Sequence, residues 1–360
     1  MTFSPFRHIG SIFRKNRPIQ LTFFLTRRCN ARCPFCFYLS GERGIAGKGD
    51  ELSLAEIDRL SSSLGNLLWL AFSGGEIFLR EDLPEIVDMF YRRNRPVHIL
   101  LPTNGMLPEV IAEQCEIILA RSPESAVTVK LSLDGIEEHH DTLRGVPGAF
   151  RKCMGTYERL APMTEKYENL ELGMNTVFCA ANQDHMEEII SFVRGLERIG
   201  THTVSLVRGE MGDQTLKDVD MEKYHRTIDL LAKDLRSGRS ATYRFRGGRL
   251  KAAQDILQRS LIRRTRMEQR QVIPCLAGRL TAVVTESGDV YPCESFTGRL
   301  GNVREWNYDL SRILHHPGNG EVLAAIRRGE CFCTHECYMM MNIFFNARAY
   351  PALLKEYLRL

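Results

Sequence analysis

Between Ile19 and Val207 the apolar positions follow two alternating rhythms. Short apolar or period-two runs predict strands at 19–26, 67–73, 97–103, 127–134, 170–178 and 203–207. Helical spacing fills the gaps: Leu83, Ile86, Val87 and Phe90 fall on one face, as do Met186, Ile189, Ile190 and Val193. Successive β-α units imply a parallel sheet with right-handed crossovers. Six units are fewer than the eight that close a barrel, so the expected fold is α/β, a partial (β/α)6 TIM-like barrel. In 127–134, Val127, Val129, Leu131 and Leu133 share one face, while Thr128, Lys130, Ser132 and Asp134 share the other. Helices cover the outside of such a sheet, so the polar face should look into the barrel and meet a ligand there.

After Val207 the pattern changes. Tyr224, Ile228, Leu231 and Leu235 predict helix within 218–258, 263–271 reads as a basic linker, and a small Cys-rich α+β extension begins at Cys275. The expected organisation is a tail over 1–18, the barrel over 19–215, a helical and basic linker over 216–274, the extension over 275–338 and a tail helix over 339–360.

With 360 residues, 44% hydrophobic and 26% charged, the chain can bury a substantial core. No apolar run approaches the roughly eighteen residues of a membrane span, and nothing resembles an export signal, so a cytoplasmic protein is expected. There its eleven cysteines are thiols or metal ligands rather than disulfides. A net charge of +4 is too mild to imply a nucleic-acid partner. Basic residues cluster between Arg236 and Arg270, among them Arg239, Arg244, Arg249 and Arg263; they form a solvated helix face or a cationic surface for an anionic ligand. Phe3, Phe6, Ile9 and Phe13 in one tail, and Leu353, Leu354 and Leu358 in the other, cap the core or rest on a membrane surface.

The chemistry concentrates in cysteines. Cys29, Cys33 and Cys36 form C-x3-C-x2-C directly after the first predicted strand. Three such thiolates suit three irons of a [4Fe–4S] cluster and leave the fourth iron open. Structural zinc sites instead close four positions. Gly74-Gly75-Glu76 ends the second strand, Thr103-Asn104-Gly105 the third and Ser132-Leu133-Asp134-Gly135 the fourth, where parallel sheets deliver groups to ligands. There the two glycines let backbone approach a ligand, and Glu76 accepts hydrogen bonds from an ammonium.

In this order, with aromatic Phe35 before the third cysteine, these motifs resemble the radical S-adenosylmethionine (SAM) family over roughly 18–210. The resemblance implies a SAM-binding [4Fe–4S] cluster on Cys29, Cys33 and Cys36. It implies SAM contacts from Gly74, Gly75, Glu76, Asn104, Ser132 and Asp134, with Phe35 near the adenine and Arg144 near the SAM carboxylate or the substrate. It also implies reductive cleavage of SAM to a 5′-deoxyadenosyl radical that abstracts hydrogen from a substrate, fed by a one-electron reductase such as flavodoxin or ferredoxin. Glu171, Asn175, Arg208 and Glu210 are further lumen candidates without a motif, and no catalytic residue is assigned.

Cys275, with Gly288 and Cys293 behind it, resembles the opening of a SPASM or twitch extension, which binds auxiliary clusters. Cys331, Cys333 and Cys337 follow as C-x-C-x3-C, a departure from the full pattern. Five cysteines suffice for one auxiliary [4Fe–4S] cluster and not for two. Cys275, Cys293, Cys333 and Cys337 fit best, with Cys331 as alternative ligand or spare thiol and His335 behind the ligands; a closed zinc site is the rival. Such a cluster suggests a net oxidation or bond formation. The substrate is expected to be a peptide or a small metabolite. The first strand's early start, which leaves no room for a separate peptide-recognition domain, weighs against the peptide. An anionic lipid, or a non-catalytic iron–sulfur or zinc protein, stays open.

Overall fold

Six apolar runs become six parallel strands: β1 Gln20–Phe24, β2 Trp69–Ser73, β3 His98–Thr103, β4 Ala126–Ser132, β5 Leu170–Phe178 and β6 Thr201–Leu206. The structure is a computed structural model and describes residues 2–39, 50–240 and 243–360. Met1 of the expected tail and residues 241–242 of the expected helix lie outside these. Between the strands run α1 Leu54–Ser63, α2 Leu83–Asn94, α3 Pro108–Arg121, α4 Glu137–Arg144, α5 Ala149–Leu160, the short α6 Met163–Lys166 and α7 Met186–Gly195. Ser53 and Glu56 close a capping box at the start of α1. Leu83, Ile86, Val87 and Phe90 are the buried stripe of α2, and Met186, Ile189, Ile190 and Val193 that of α7.

Those stripes lie against the outward face of the sheet, where Val127, Val129, Leu131 and Leu133 are wholly buried. Each such side chain contributes about 1.5–3 kcal/mol by leaving water. Thr128, Lys130 and Ser132, on the other face of β4, line an internal cavity of about 360 Å³.

The nine-stranded sheet has the order β6-β5-β4-β3-β2-β1-β7-β8-β9. The Cys-rich extension therefore continues the barrel sheet instead of standing apart. Its β7, Thr281–Val284, pairs in parallel with β1, and β8 (Asp289–Tyr291) and β9 (Gly301–Asn302) follow antiparallel. Among the described residues no strand pairing joins the two ends of this order, β6 and β9.

Two expectations need correction. The region 218–258 is not one helix: α8 Met221–Arg236 and α9 Gly248–Glu268 are separated, and Gly238 and Gly247 adopt positive φ at the break. The stretch read as a basic linker, 263–271, is helical as far as Glu268. An Arg264–Glu268 pair at 3.1 Å supports that last turn. The buried face of α9 includes Gln254, Gln258, Arg259 and Thr265, which hides it from a search for apolar stripes. Nor do the basic residues form one cationic surface. Arg239 pairs with Asp234 and Lys251 with Asp255, while Arg244, Arg249 and Arg259 donate to backbone carbonyls.

Behind β9 come α10 Leu310–Leu314, α11 Gly320–Arg328, α12 Glu336–Phe344 and α13 Tyr350–Leu358. The expected boundary at 338/339 cuts through α12, whose Met339, Met340, Met341 and Ile343 are buried. The N-terminal segment is fastened over the strand starts. Phe3 N–H donates to Glu124 O at 2.8 Å, and Arg7 donates to Leu67 O at 3.1 Å. Phe6, Ile9 and Phe13 remain exposed on it.

Candidate active site

β1 runs directly into the loop of Cys29, Cys33 and Cys36. Its first turn is bound to the end of β2: Gly75 N–H donates to Thr26 O at 2.7 Å and Glu76 N–H to Arg28 O at 2.8 Å. An added Cβ would stand 2.4 Å from Thr26 O at Gly74 and 2.1 Å from Arg28 O at Gly75. The loop's own backbone thus fills the place of a side chain at both glycines, which also line the cavity. Glu51 receives Thr26 and Arg28, and buried Arg80 donates to Leu25 O and Leu52 O, so the loop's root is braced from below.

The thiols meet specific partners. Ala31 N–H lies 3.4 Å from Cys29 Sγ and Leu39 N–H 3.4 Å from Cys36 Sγ. Asn104 Nδ2 lies 3.9 Å from Cys29 Sγ and donates to Asn30 Oδ1 at 2.6 Å. Arg144 Nη1 lies 3.6 Å from Cys33 Sγ. Burial pushes the Cys29 thiol up to about 12 and also raises that of Cys33, which Arg144 opposes.

Glu76 is almost fully buried at the strand ends. It accepts from Phe78 N, Asn104 N and Thr103 Oγ1 at 3.2, 2.7 and 2.9 Å. Burial still raises its carboxyl to about 7, against those hydrogen bonds. A cation arriving in the cavity would restore its ionisation. Ser132, Asn104 and Arg144 line the same cavity, as does Phe35, which belongs to the apolar cluster of Leu143, Val207 and Leu216. Asp134 does not. It is wholly buried behind Arg144, ion-paired to it, and accepts Val177 N–H at 2.7 Å. Its place is to hold the guanidinium, whose upward shift comes from Asp134 and Cys33 against burial.

Asn175 and Arg208 also line the cavity. Glu171 is instead occupied by the backbone N–H groups of Arg244 and Phe245, and Glu210 sits on an exposed loop.

Across the cavity stands the extension. Cys275 precedes β7, Cys293 follows β8, Cys331 and Cys333 lie before α12, and Cys337 is in its first turn. Burial pushes the Cys275 thiol up to about 11, with Cys293 and Cys331 adding to it. It pushes Cys333 up to about 12, with Cys275 and Cys293 adding. These four thiols thus oppose one another's ionisation. Cys337 differs. Burial takes it to about 12 with Glu294 and Glu336 as its neighbours, and it lines the cavity. Among the described residues no three Cys, His, Asp or Glu side chains close on a single-ion site.

His335 caps α12, its Nδ1 accepting Cys337 N–H at 3.3 Å while Nε2 bonds Glu294. Arg208 joins them, donating to Glu336 at 3.1 Å. Glu294, and Tyr243, Asp255 and Gln258 at the α9 wall, are cavity residues that sequence reasoning did not single out, and Lys251 it placed only in the basic run. The i,i+4 spacing of Lys251 and Asp255 was the one available signal.

Residues 23–167 match the family model described as the Radical SAM superfamily. The chain is 27% identical to the AdoMet-dependent heme synthase of Methanosarcina barkeri, over 84% of this chain and 86% of that protein. It is 26% identical to the cysteine-type anaerobic sulfatase-maturating enzyme of Clostridium perfringens, over 77% and 75%. A solved structure of anSMEcpe with bound AdoMet and Kp18Cys peptide shares the fold at a TM-score of 0.61 and 17% identity, covering 95% of this chain and 100% of that one. Streptococcus suis SuiB bound to precursor peptide SuiA gives 0.58 and 18%, over 88% and 70%. The match covers the strands that carry the thiol loop, so the chain carries a Radical SAM domain over 23–167, and its likeness to named enzymes that run on through the extension marks it as an enzyme.

Proposed function

We propose that Cys29, Cys33 and Cys36 hold the SAM-binding [4Fe–4S] cluster and that the lumen beneath it is the substrate chamber. Support comes from one observation: these thiols share a single cavity with Glu76, Asn104, Ser132 and Arg144, at the ends of the parallel strands. The donor set fits. The thiols suit iron, the buried Glu76 suits the methionine ammonium, and Arg144 suits a carboxylate. When bound, cluster and SAM supply one-electron reductive cleavage and hydrogen-atom abstraction. The chain's own residues do the rest. Asn104 and Arg144 hold the thiol loop, Asp134 holds Arg144, and the apolar cluster around Phe35 keeps water from that wall.

Cys275, Cys293, Cys331 and Cys333 hold one auxiliary [4Fe–4S] cluster. Their mutual proximity favours Cys331 over the Cys337 expected from spacing, because Cys337 faces the lumen acids. The net reaction is an oxidation or bond formation on a peptide or small-molecule substrate, with a flavodoxin- or ferredoxin-type reductase as electron donor. Peptide substrates draw support from the peptide-bound structures that share this fold.

Anaerobic reconstitution tests this. About eight irons per chain and 5′-deoxyadenosine on reduction are expected. Cys33→Ala should lose about four irons and all SAM cleavage, and Cys293→Ala about four irons with cleavage retained. Zinc in place of iron, or iron without 5′-deoxyadenosine, would refute the reading. Iron loss in Cys331→Ala but not in Cys337→Ala selects the fourth ligand.

A further inference from the structure

One wall of the cavity carries an amine that forms no ion pair among the described residues. Lys130 faces the lumen from β4 and is 9% exposed. Its Nζ donates to the hydroxyls of Thr201 and, at 3.1 Å, Thr203. The other cations on the cavity are paired: Arg144 with Asp134, Arg208 with Glu336 and Lys251 with Asp255. Among the described residues Lys130 has only its two hydroxyls.

The sheet makes room for this amine. Lys130 registers against Gly173, and Gly173 against Thr201. A Cβ at Gly173 would stand 2.7 Å from Lys130 Nζ and 2.5 Å from Thr201 Oγ1. Glycine inside a strand weakens it and often marks a close approach. Here it lets the lysine lie across β5 and reach the hydroxyls of β6. A buried ammonium without a direct ion pair is itself costly, and Thr128 and Ser132 show that neutral residues serve this face of β4. Both features cost stability, and both are accounted for by a ligand.

Charge selects the ligand. The opposite wall presents Tyr243, Lys251 and Asp255, with Tyr243 Oη donating to Asp255 at 2.6 Å. Lys130 and Lys251 exceed Asp255 by one positive charge, and Glu171 and Arg259 behind them cancel. One negative charge balances this end of the chamber, whereas a dianion overshoots.

We propose that Lys130 is the anion anchor of the substrate chamber and binds a carboxylate of the substrate. This rests on the cavity being that chamber. Burial lowers the amine to about 7, against Asp255 and Glu171 and helped by Lys251 and Arg259. The empty site is therefore partly neutral near pH 7 and takes up a proton with the anion. His202, close by, is buried and kept neutral.

The test uses the full, anaerobically reconstituted chain, titrated calorimetrically at pH 6.5 with sodium propionate, propionamide and inorganic phosphate. Wild type should bind propionate, with propionamide about tenfold weaker or more; Lys130→Met and Gly173→Ala should each weaken propionate by about tenfold or more. Ligand-free Lys130→Met should also melt higher than wild type, because the substitution removes an unpaired buried amine. A lower melting temperature would mark the lysine as structural and overturn the proposal. So would equal propionate affinity in wild type and Lys130→Met, or no propionate binding at all. Preference for phosphate would overturn the carboxylate assignment. SAM cleavage by wild type is assayed separately: if it proceeds while propionate is ignored, the chamber stands and the anchor falls.

Discussion

At Gly75 the Arg28 carbonyl oxygen occupies the place of a side chain, 2.1 Å from where a Cβ would be. Gly75→Ala must therefore push the cysteine loop off β2. A loss of about 1–3 kcal/mol is expected, read by urea unfolding of the iron-free protein. Gly195→Ala, where nothing lies within 4 Å, is the matched control and should be neutral or stabilising. Equal losses at both glycines would remove the close-packing explanation. Lys130 gives a second residue-scale prediction. Its folded value near 7 lies below the unfolded value near 10.5, so the unfolded chain binds the extra proton between them. Stability should therefore rise with pH across that window, and Lys130→Met should flatten the rise in urea midpoint. Spacing made the cysteines and Glu76 legible at this scale, because their neighbours are sequence-local motifs. Glu294 was not legible: its partners His335 and Arg208 lie far along the chain and meet it only in three dimensions.

Among elements, the strands were readable because each is apolar on its outward face, and β5 begins and ends at the predicted residues. α9 was readable only as far as 258, since its buried face mixes glutamines and an arginine with the apolar residues, and Lys251, Asp255 and Gln258 line the cavity. A helix that lines a lumen loses the apolar stripe by which helices are recognised. α4 was also hidden, but what it delivers is clear. Arg144 is its last residue, Gly145 ends it in the left-handed region, and Asp134 from the end of β4 receives the guanidinium. Asp134→Asn should leave that guanidinium without its counter-charge and misaligned. Weaker SAM binding, by about tenfold, is expected with the iron content unchanged, measured by calorimetry on the reconstituted protein. Iron loss in the same variant would instead assign Asp134 to holding the thiol loop itself.

For the whole molecule, the decisive contact is the one between β1 and β7, because it makes the extension part of the barrel's sheet. The cysteine loop is gripped from both sides of that seam. Tyr38 reaches Glu286 in the β7–β8 turn, and Arg27 lies 3.8 Å from the same carboxylate. The ring of Phe24 in β1 lies 4.3 Å from that of Tyr38, tilted to it, and 5.2 Å from that of Phe296 of the extension, edge to face. Composition and motif order pointed to two regions, and they carried no information about this shared strand edge, which is set by long-range pairing. The first 270 residues are therefore expected not to fold as an independent unit. A chain ended after Arg270 would expose the β1 edge and the rings of Phe24 and Tyr38, an aggregation-prone arrangement. It should bind a hydrophobic dye, unfold without a cooperative transition and fail to retain iron on Cys29, Cys33 and Cys36. Glu286→Gln, a milder cut at the same seam, should keep the fold while loosening the loop, seen as faster iron loss to a chelator. A truncated chain that melted sharply and still cleaved SAM would show that the barrel needs nothing from its C-terminal neighbour.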